Sequence, residues 1–253
     1  MEAKQVLKIA LWAGEILLTN GAEAYRVEET IENICRAYGH ECECLAIEKG
    51  IFVSIAYGDD EKVTSLKKIK SRNVDLHRIE LVNTFSRNIQ KELLSYDEAK
   101  RMLKEIEKAP NFSLGLRLFS AGMISFIYTL FFNGTIYDAI ASAPISIGIY
   151  AMLQRLSKAG LFKFLEYFLS GLIIGGVSMM LQGLFPFIIK DNVITGSIII
   201  LIPGVPLTNG IKDIIYGHSM SGMIKFAESL LIIIAIGAGI AVALSVGTGV
   251  GSW

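Results

Sequence analysis

The chain of 253 residues is 52% hydrophobic with a mean hydropathy of +0.50, which excludes an ordinary soluble globular protein. Its 24 Lys and Arg balance its 24 Asp and Glu, and this zero net charge argues against nucleic acid, whose binding requires a basic face. Most charges precede Ser113, where 17 of the basic and 19 of the acidic residues lie. The composition therefore predicts a cytosolic domain over residues 1–110 and a membrane domain over residues 111–253.

The N-terminal residues predict two consecutive helices. Apolar residues recur at helical spacing along the first helix, which we expect to end near Asn20-Gly21. The second helix begins at once, with Asn20 as its N-cap and Glu23 reaching back in a capping box. Its predicted buried stripe consists of Val27, Ile31, Ile34 and Tyr38.

Strand-like segments follow these helices. Residues 42–47 and 51–57 are two strand-like runs separated around Lys49-Gly50, and the second is rich in β-branched and aromatic side chains. Residues 63–70 form a weaker third candidate after the turn Gly58-Asp59-Asp60. Helical periodicity returns from Asp75 to the end of the charged region. The pattern therefore predicts a small α+β domain.

The three cysteines, Cys35, Cys42 and Cys44, all lie in this domain. A small odd number predicts reduced thiols on the cytosolic side. Together with His40 they have the chemistry to bind a metal, but their spacing matches no standard zinc pattern. Cys42 and Cys44 share one face of a strand, where thiols of the core are common. We therefore predict neither a metal nor a cofactor.

Five apolar segments predict a membrane α-helical fold with five transmembrane helices and an N-terminal cytosolic α+β domain. Each is close to the ~20 residues needed to cross the hydrocarbon. They cover residues 114–133, 136–154, 164–186, 193–216 and 224–246. Lys and Arg concentrate in the loops on the side of the N-terminal domain, whereas the opposite loops hold only Lys190. This bias predicts a plasma-membrane protein with a cytosolic N-terminus and an external C-terminus.

Small residues recur at every fourth position in two of these segments. Gly171 and Gly175 do so in the third, and Ala235, Gly239 and Ala243 in the fifth. Such faces let helices approach closely. They serve either packing inside one bundle or contact with another copy of the chain in a homo-oligomer.

The fourth segment is broken in its middle by the sequence IPGVPLTNGIKD, which begins at Ile202. Proline interrupts a helix, so we expect a half-helix to restart near Leu207 with its first N–H groups at mid-membrane depth. A helix N-terminus suits a carboxylate. We therefore predict a substrate site at Pro203, Gly204, Pro206, Thr208, Asn209, Lys212 and Asp213. The alternative is a kink repaired by neighbouring helices.

Further polar side chains form two weaker sets of candidates. Glu23, Tyr25, Arg26 and Glu28 crowd one short helix, where they either form ordinary surface ion pairs or build a site of the cytosolic domain. Glu228 and Asp138 are candidates for proton coupling, with anchoring at the interface as the alternative. Arg117, Glu166 and Lys225 lie near predicted inner ends, where long side chains also snorkel.

Two stretches resemble a known family. They are GAEAYRVEETI, which begins at Gly21, and IPGVPLTNGIKD, and the resemblance spans nearly the whole chain. Together they are similar to the N-terminal half of the threonine/serine exporter family. The resemblance implies the larger partner of a split pair, which acts with a second five-span membrane subunit. It also implies export of threonine and serine, or of a dicarboxylate such as succinate, across the plasma membrane.

The sequence lacks GxSxG, HExxH and a Gly-rich phosphate loop, so we predict a transporter subunit and not an enzyme. Coupling to an ion gradient is the expected source of energy, and membrane lipid and a small carboxylate substrate are the expected partners. Two alternatives remain. One is a membrane-tethered hydrolase, and the other is a metabolite sensor, each acting through the N-terminal domain.

Overall fold

The computed structural model describes residues 1–57, 61–70 and 72–250, so the predicted turn at Gly58-Asp59-Asp60 lies outside it. The chain forms two compact units. The first unit combines Met1–Pro110 with Gly204–Ala227, and the second combines Asn111–Pro203 with the residues from Glu228 onward. Residues 204–227 thus belong to the same compact unit as the N-terminal region.

The first unit contains the sheet. Its elements are α1 (Ala3–Thr19), α2 (Ala24–Ala37), β1 (Cys42–Ile47), β2 (Gly50–Tyr57), β3 (Glu61–Lys68), α3 (Leu76–Lys91) and α4 (Tyr96–Glu107). The strands are antiparallel in the order β1-β2-β3. Ile51, Val53 and Ile55 alternate along β2 and are fully buried against the helices, as the period of a strand requires. The predicted α+β region is thus present.

The start of α2 differs from the prediction. Asn20 is the C-cap of α1, and Glu23 takes the N-cap position of α2. The turn between them passes through Gly21, whose φ of +91° favours glycine. The Ala24 N–H donates to Asp213 Oδ1 at 2.8 Å, so a carboxylate distant in sequence replaces the expected local cap.

The remaining elements are helical. They are α5 (Leu114–Phe131), α6 (Ile136–Ala159), α7 (Lys163–Leu184), α8 (Lys190–Ile198), α9 (Gly204–Ile215) and α10 (Ser219–Val250). Within the described residues, four helices are long and apolar enough to cross a membrane: 114–131, 136–157, 163–184 and 219–246. A fifth continuous span is absent from this part of the chain, because the fourth predicted segment is divided between α8 and α9.

The break itself lies where the prolines predict it, although α9 begins at Gly204 and not near Leu207. Pro206 stands in the first turn of α9, where a missing N–H costs nothing because the first four N–H groups have no partner inside the helix. Gly210 of α9 faces Gly222 of α10, and an added Cβ at Gly210 would lie 3.0 Å from the Gly222 carbonyl oxygen. These glycines therefore allow the two helices to approach closely.

In the second unit, the two predicted small-residue faces meet each other. A Cβ added at Gly171 would overlap the Ile236 carbonyl, and one at Gly175 would lie 2.8 Å from the Ala243 Cβ. An added Cβ at Gly239 would overlap a carbonyl of α7 in the same way. These contacts favour packing between α7 and α10 of one chain over contact with another copy.

Candidate functional site

A cleft of about 360 Å³ opens in the first unit between α2, α3 and α9. It brings together two predicted sets of residues that are far apart in sequence. The cytosolic-domain set contributes Glu23 and Arg26, and the helix-break set contributes four residues of α9. The complete lining is Glu23, Arg26, Leu76, Ile79, Gly204, Val205, Thr208, Asn209 and Lys212.

One stripe of α9 faces this cleft. Gly204, Thr208 and Lys212 follow each other at intervals of four residues, which places them on one side of a helix. Gly204 lies in the first turn, where N–H groups lack intrahelical partners and carry partial positive charge. Gly204 lines the cleft, and a Cβ added there would meet nothing within 4 Å.

Glu23 is held between two cations. Arg26 Nε donates to its Oε2 and Lys212 Nζ donates to its Oε1, each at 3.1 Å. The Glu23 side chain is 8% exposed, whereas those of Arg26 and Lys212 are 37% and 45% exposed. The cleft thus carries one negative and two positive charges, and the cations remain accessible to a ligand.

Burial alone would raise the pKa of the Glu23 carboxyl. The hydrogen bond from its own backbone N–H, the hydrogen bond from Lys212 and the positive charges of Arg26 and Lys212 outweigh burial, so the pKa lies below its ordinary value. Glu23 is therefore a carboxylate at neutral pH and can accept a hydrogen bond from an ammonium group of a ligand.

The neighbouring stripe of α9 fixes the helix to the α1–α2 turn. Asn209 Nδ2 donates to the Gly21 carbonyl at 2.9 Å, and Asp213 accepts from the Ala24 N–H. Both side chains are buried, Asp213 completely. Asn209 borders the cleft, but the contacts of Asp213 are those of a positioning residue.

Lys225 completes this attachment, whereas the sequence left both interface anchoring and a functional role open for it. Its Nζ donates to Asp213 Oδ2 at 2.8 Å and to the Ala22 carbonyl at 3.1 Å, and it lies 3.9 Å from a Glu48 oxygen. The side chain is only 1% exposed. Glu48 also pairs with Arg72, so two carboxylates and two cations balance in the interior. In the sequence, the signal for this role of Lys225 was the presence of a lysine at the start of an apolar span.

The other predicted residues of these sets lie outside the lining. Tyr25 stacks on Tyr216 with ring centroids 4.3 Å apart. Glu28 accepts from the Ala46 N–H at 2.7 Å and lies 3.5 Å from His218, and burial raises the pKa of its carboxyl. Pro203 and Pro206 shape the helix break and do not line the cleft.

The two candidates for proton coupling belong to the second unit. Asp138 is fully buried and accepts hydrogen bonds from the N–H of Thr135 at 2.9 Å, the N–H of Ile189 at 2.8 Å and the amide of Asn192 at 2.9 Å. It thereby closes the capping box of α6 and fixes the start of α8. Glu228 is exposed. Neither lines the cleft.

Within residues 1–57, 61–70 and 72–250, no group of three or more His, Cys, Asp or Glu side chains is placed to hold a metal ion. Cys35, Cys42 and Cys44 are free thiols, Cys35 being buried. The cleft offers charged and hydrogen-bonding groups for an organic ligand, as described above.

Comparison with known proteins gives a consistent family. The model of the ThrE family, described as "Putative threonine/serine exporter", matches residues 8–247. Three relatives illustrate the similarity. "Probable succinate transporter subunit YjjP" of Klebsiella aerogenes is 23% identical, over 92% of this chain and 91% of the relative. "Threonine/serine exporter" of Corynebacterium glutamicum is 23% identical, over 92% and 50%.

The third relative, "Probable threonine/serine exporter" of Mycobacterium tuberculosis, is 20% identical over 94% of this chain and 46% of its own length. The chain therefore spans about half of the two proteins named exporters and nearly all of the protein named a subunit. No solved structure matches.

Proposed function

Because this chain belongs to the threonine/serine exporter family, we propose that it is one subunit of a two-subunit secondary exporter for small metabolites that carry a carboxylate. That the chain is part of a membrane exporter follows from the family and from the four apolar helices. The same membership favours a transporter over the hydrolase and sensor alternatives. The substrate, the partner and the site are the proposal.

The observation that carries the proposal is the composition of the cleft. Two accessible cations, Arg26 and Lys212, lie beside the open N-terminal turn of α9. A carboxylate placed there would receive charge-assisted hydrogen bonds from the side chains and hydrogen bonds from the first N–H groups of the helix.

The cleft favours an amino acid over a dicarboxylate. The carboxylate of the amino acid would bind at Arg26 and Lys212, its ammonium would bind at Glu23, and a side-chain hydroxyl would reach Thr208. Succinate would bring a second negative charge toward Glu23, where like charges repel. Threonine and serine are therefore the first choice and succinate the second, the latter supported by the name of a relative of nearly full length.

The lengths and names of the relatives support a second subunit. The two relatives named exporters are about twice the matched length, and the relative that this chain nearly covers is named a subunit. We propose that a separate five-span membrane protein supplies the other half of the pathway in the plasma membrane.

The division of the chain supports five membrane crossings. Helices α5, α6 and α7 follow the first unit and would leave the chain on the opposite side at Leu184. The start of α10 belongs to the first unit again, so a soluble unit confined to one side requires one return crossing by α8 and residues 199–203. Non-helical backbone at that depth must be covered by protein or line a cavity. The N-terminus would then be cytosolic and the C-terminus external.

Energy coupling is assigned to an ion gradient, and Glu228 is the better of the two proton-coupling candidates. It is exposed, whereas every oxygen of Asp138 is already occupied by donors that fix α6 and α8.

Efflux from proteoliposomes tests the proposal. The full chain is reconstituted alone and with a second five-span subunit of the same family, and the vesicles are loaded with labelled threonine or labelled succinate. We expect efflux only with both proteins, and faster for threonine. Correctly inserted protein that moves neither substrate in either preparation would contradict the proposed function.

A further inference from the structure

The second unit contains a cleft of its own, with a volume of about 400 Å³. It lies between the first turns of α5, the middle of α6 and the segment after α8. Five of its eight lining side chains are apolar, and the polar ones are an arginine, a serine and a tyrosine. The lining is Phe112, Leu116, Arg117, Ser120, Ala121, Ile124, Tyr150 and Ile200.

Arg117 is the unusual member of this lining. Its Nε is buried and has no hydrogen-bond partner among the described residues. A buried donor without a partner costs free energy, and such groups usually mark a missing ligand, ion or water. No described carboxylate forms an ion pair with it.

The position of Arg117 in α5 is a second reason to expect a bound anion. It lies one turn after the N-cap Ser113, near the positive end of the α5 dipole, where a cation is disfavoured unless an anion compensates it. The hydroxyls of Ser120 and Tyr150 border the same cleft and can donate to that anion.

The apolar part of the lining indicates what the anion is attached to. Phe112, Leu116 and Ile124 are at least two-fifths exposed. Leu116 and Ile124 lie on α5, which is apolar enough to span a membrane, and Phe112 lies just before its first residue. A small hydrophilic metabolite would leave these side chains without an apolar partner, whereas an acyl chain covers them. We propose that this cleft binds an anionic phospholipid, with the phosphate at Arg117 and acyl chain along the apolar wall.

Native mass spectrometry of the full chain, released from detergent and titrated with phosphatidylglycerol or phosphatidylcholine, tests this site. We expect Arg117→Gln to weaken phosphatidylglycerol binding about tenfold and to leave phosphatidylcholine unchanged. Arg155→Gln is the matched control, because Arg155 is exposed on α6 and does not line the cleft. Tyr150→Phe keeps the volume, removes one donor and should weaken binding less, which provides a second variant should Arg117→Gln fail to fold.

Three results would overturn the proposal. The first is equal phosphatidylglycerol binding by wild type and Arg117→Gln, or, if only Tyr150→Phe folds, by wild type and that variant. The second is full displacement of phosphatidylglycerol by glycerol 3-phosphate at similar concentration, which would make the occupant a soluble anion. The third is a change of oligomeric mass in Arg117→Gln without a change in bound lipid, which would make the occupant a second copy of the chain.

Discussion

Glu23 is the single acidic side chain of the proposed substrate cleft, and its charge makes the stability of the fold depend on pH. Its pKa is lowered from an ordinary value of 4.5 because hydrogen bonds and the charges of Lys212 and Arg26 outweigh burial. A carboxylate with a depressed pKa stabilises the fold above the unfolded pKa, and this contribution is lost as pH falls through the folded pKa.

We therefore expect wild type to be more stable than Glu23→Gln by a constant margin above pH ~5, with the margin shrinking below pH ~4. Thermal unfolding of the purified full chains across this range measures it. A margin that stays the same down to the most acidic sample would show that the charge of Glu23 does not contribute to stability.

Lys225 and Asp213 form a buried pair that attaches α9 and α10 to the α1–α2 turn. Removal of one partner leaves an uncompensated charge in the interior. We expect Lys225→Met to lower the free energy of unfolding by about 3–5 kcal/mol. Adding Asp213→Asn should restore part of the loss, because the amide is neutral and its oxygen can still accept from the Ala24 N–H.

Denaturant unfolding of the two single variants and the double variant measures this coupling. Additive losses in the double variant would mean that the two side chains act independently, and the proposed attachment would then rest on the other hydrogen bonds of the turn.

At the scale of elements, the contact between α7 and α10 depends on glycine. We expect Gly171→Ala to destabilise the second unit by about 1–3 kcal/mol, because its Cβ would overlap the Ile236 carbonyl. Gly176 lies on the same helix and faces open space, so Gly176→Ala should be neutral or stabilising by up to about 1 kcal/mol. Thermal unfolding of both variants in detergent compares them, and equal effects would contradict the proposed close contact.

Elements with local signals were predictable. The prolines at 203 and 206 interrupt a helix through the backbone of their own turn, and the interruption was therefore visible in the sequence. The hydrogen bond that caps the start of α2 was not predictable, because the Ala24 N–H donates to Asp213, which is 189 residues away. A local rule names a plausible cap such as Asn20, but tertiary contacts decide which acceptor reaches the N–H.

At the scale of the whole molecule, the sequence singled out all three charged residues of the cleft lining as candidates, but it assigned them to two separate sites. Glu23 and Arg26 were placed in a cytosolic domain, and Thr208 and Lys212 in a membrane helix. The structure places all four in one lining, since residues 204–227 fold with the N-terminal region. The apolar members Leu76 and Ile79 could not be separated from ordinary core residues by pattern alone.

The membrane region illustrates the same limit. Hydropathy identifies the long apolar helices, because length and composition are sufficient for that purpose. It cannot show that the fourth predicted segment, residues 193–216, is divided, because the apolar run at residues 198–202 links the end of α8 to the start of α9. The compact unit that includes α9 is a property of contacts distant in sequence, and such contacts leave no periodic signal.

The central claim is that Lys212 and the N-terminal turn of α9 bind the carboxylate of the exported metabolite. Calorimetric titration of threonine into the purified full chain and its Lys212→Gln variant tests it most directly, with Lys68→Gln as a control on an exposed strand residue outside the lining. Loss of one charge-assisted hydrogen bond predicts about tenfold weaker binding by Lys212→Gln and unchanged binding by Lys68→Gln. Equal affinity of all three proteins for threonine would contradict the claim.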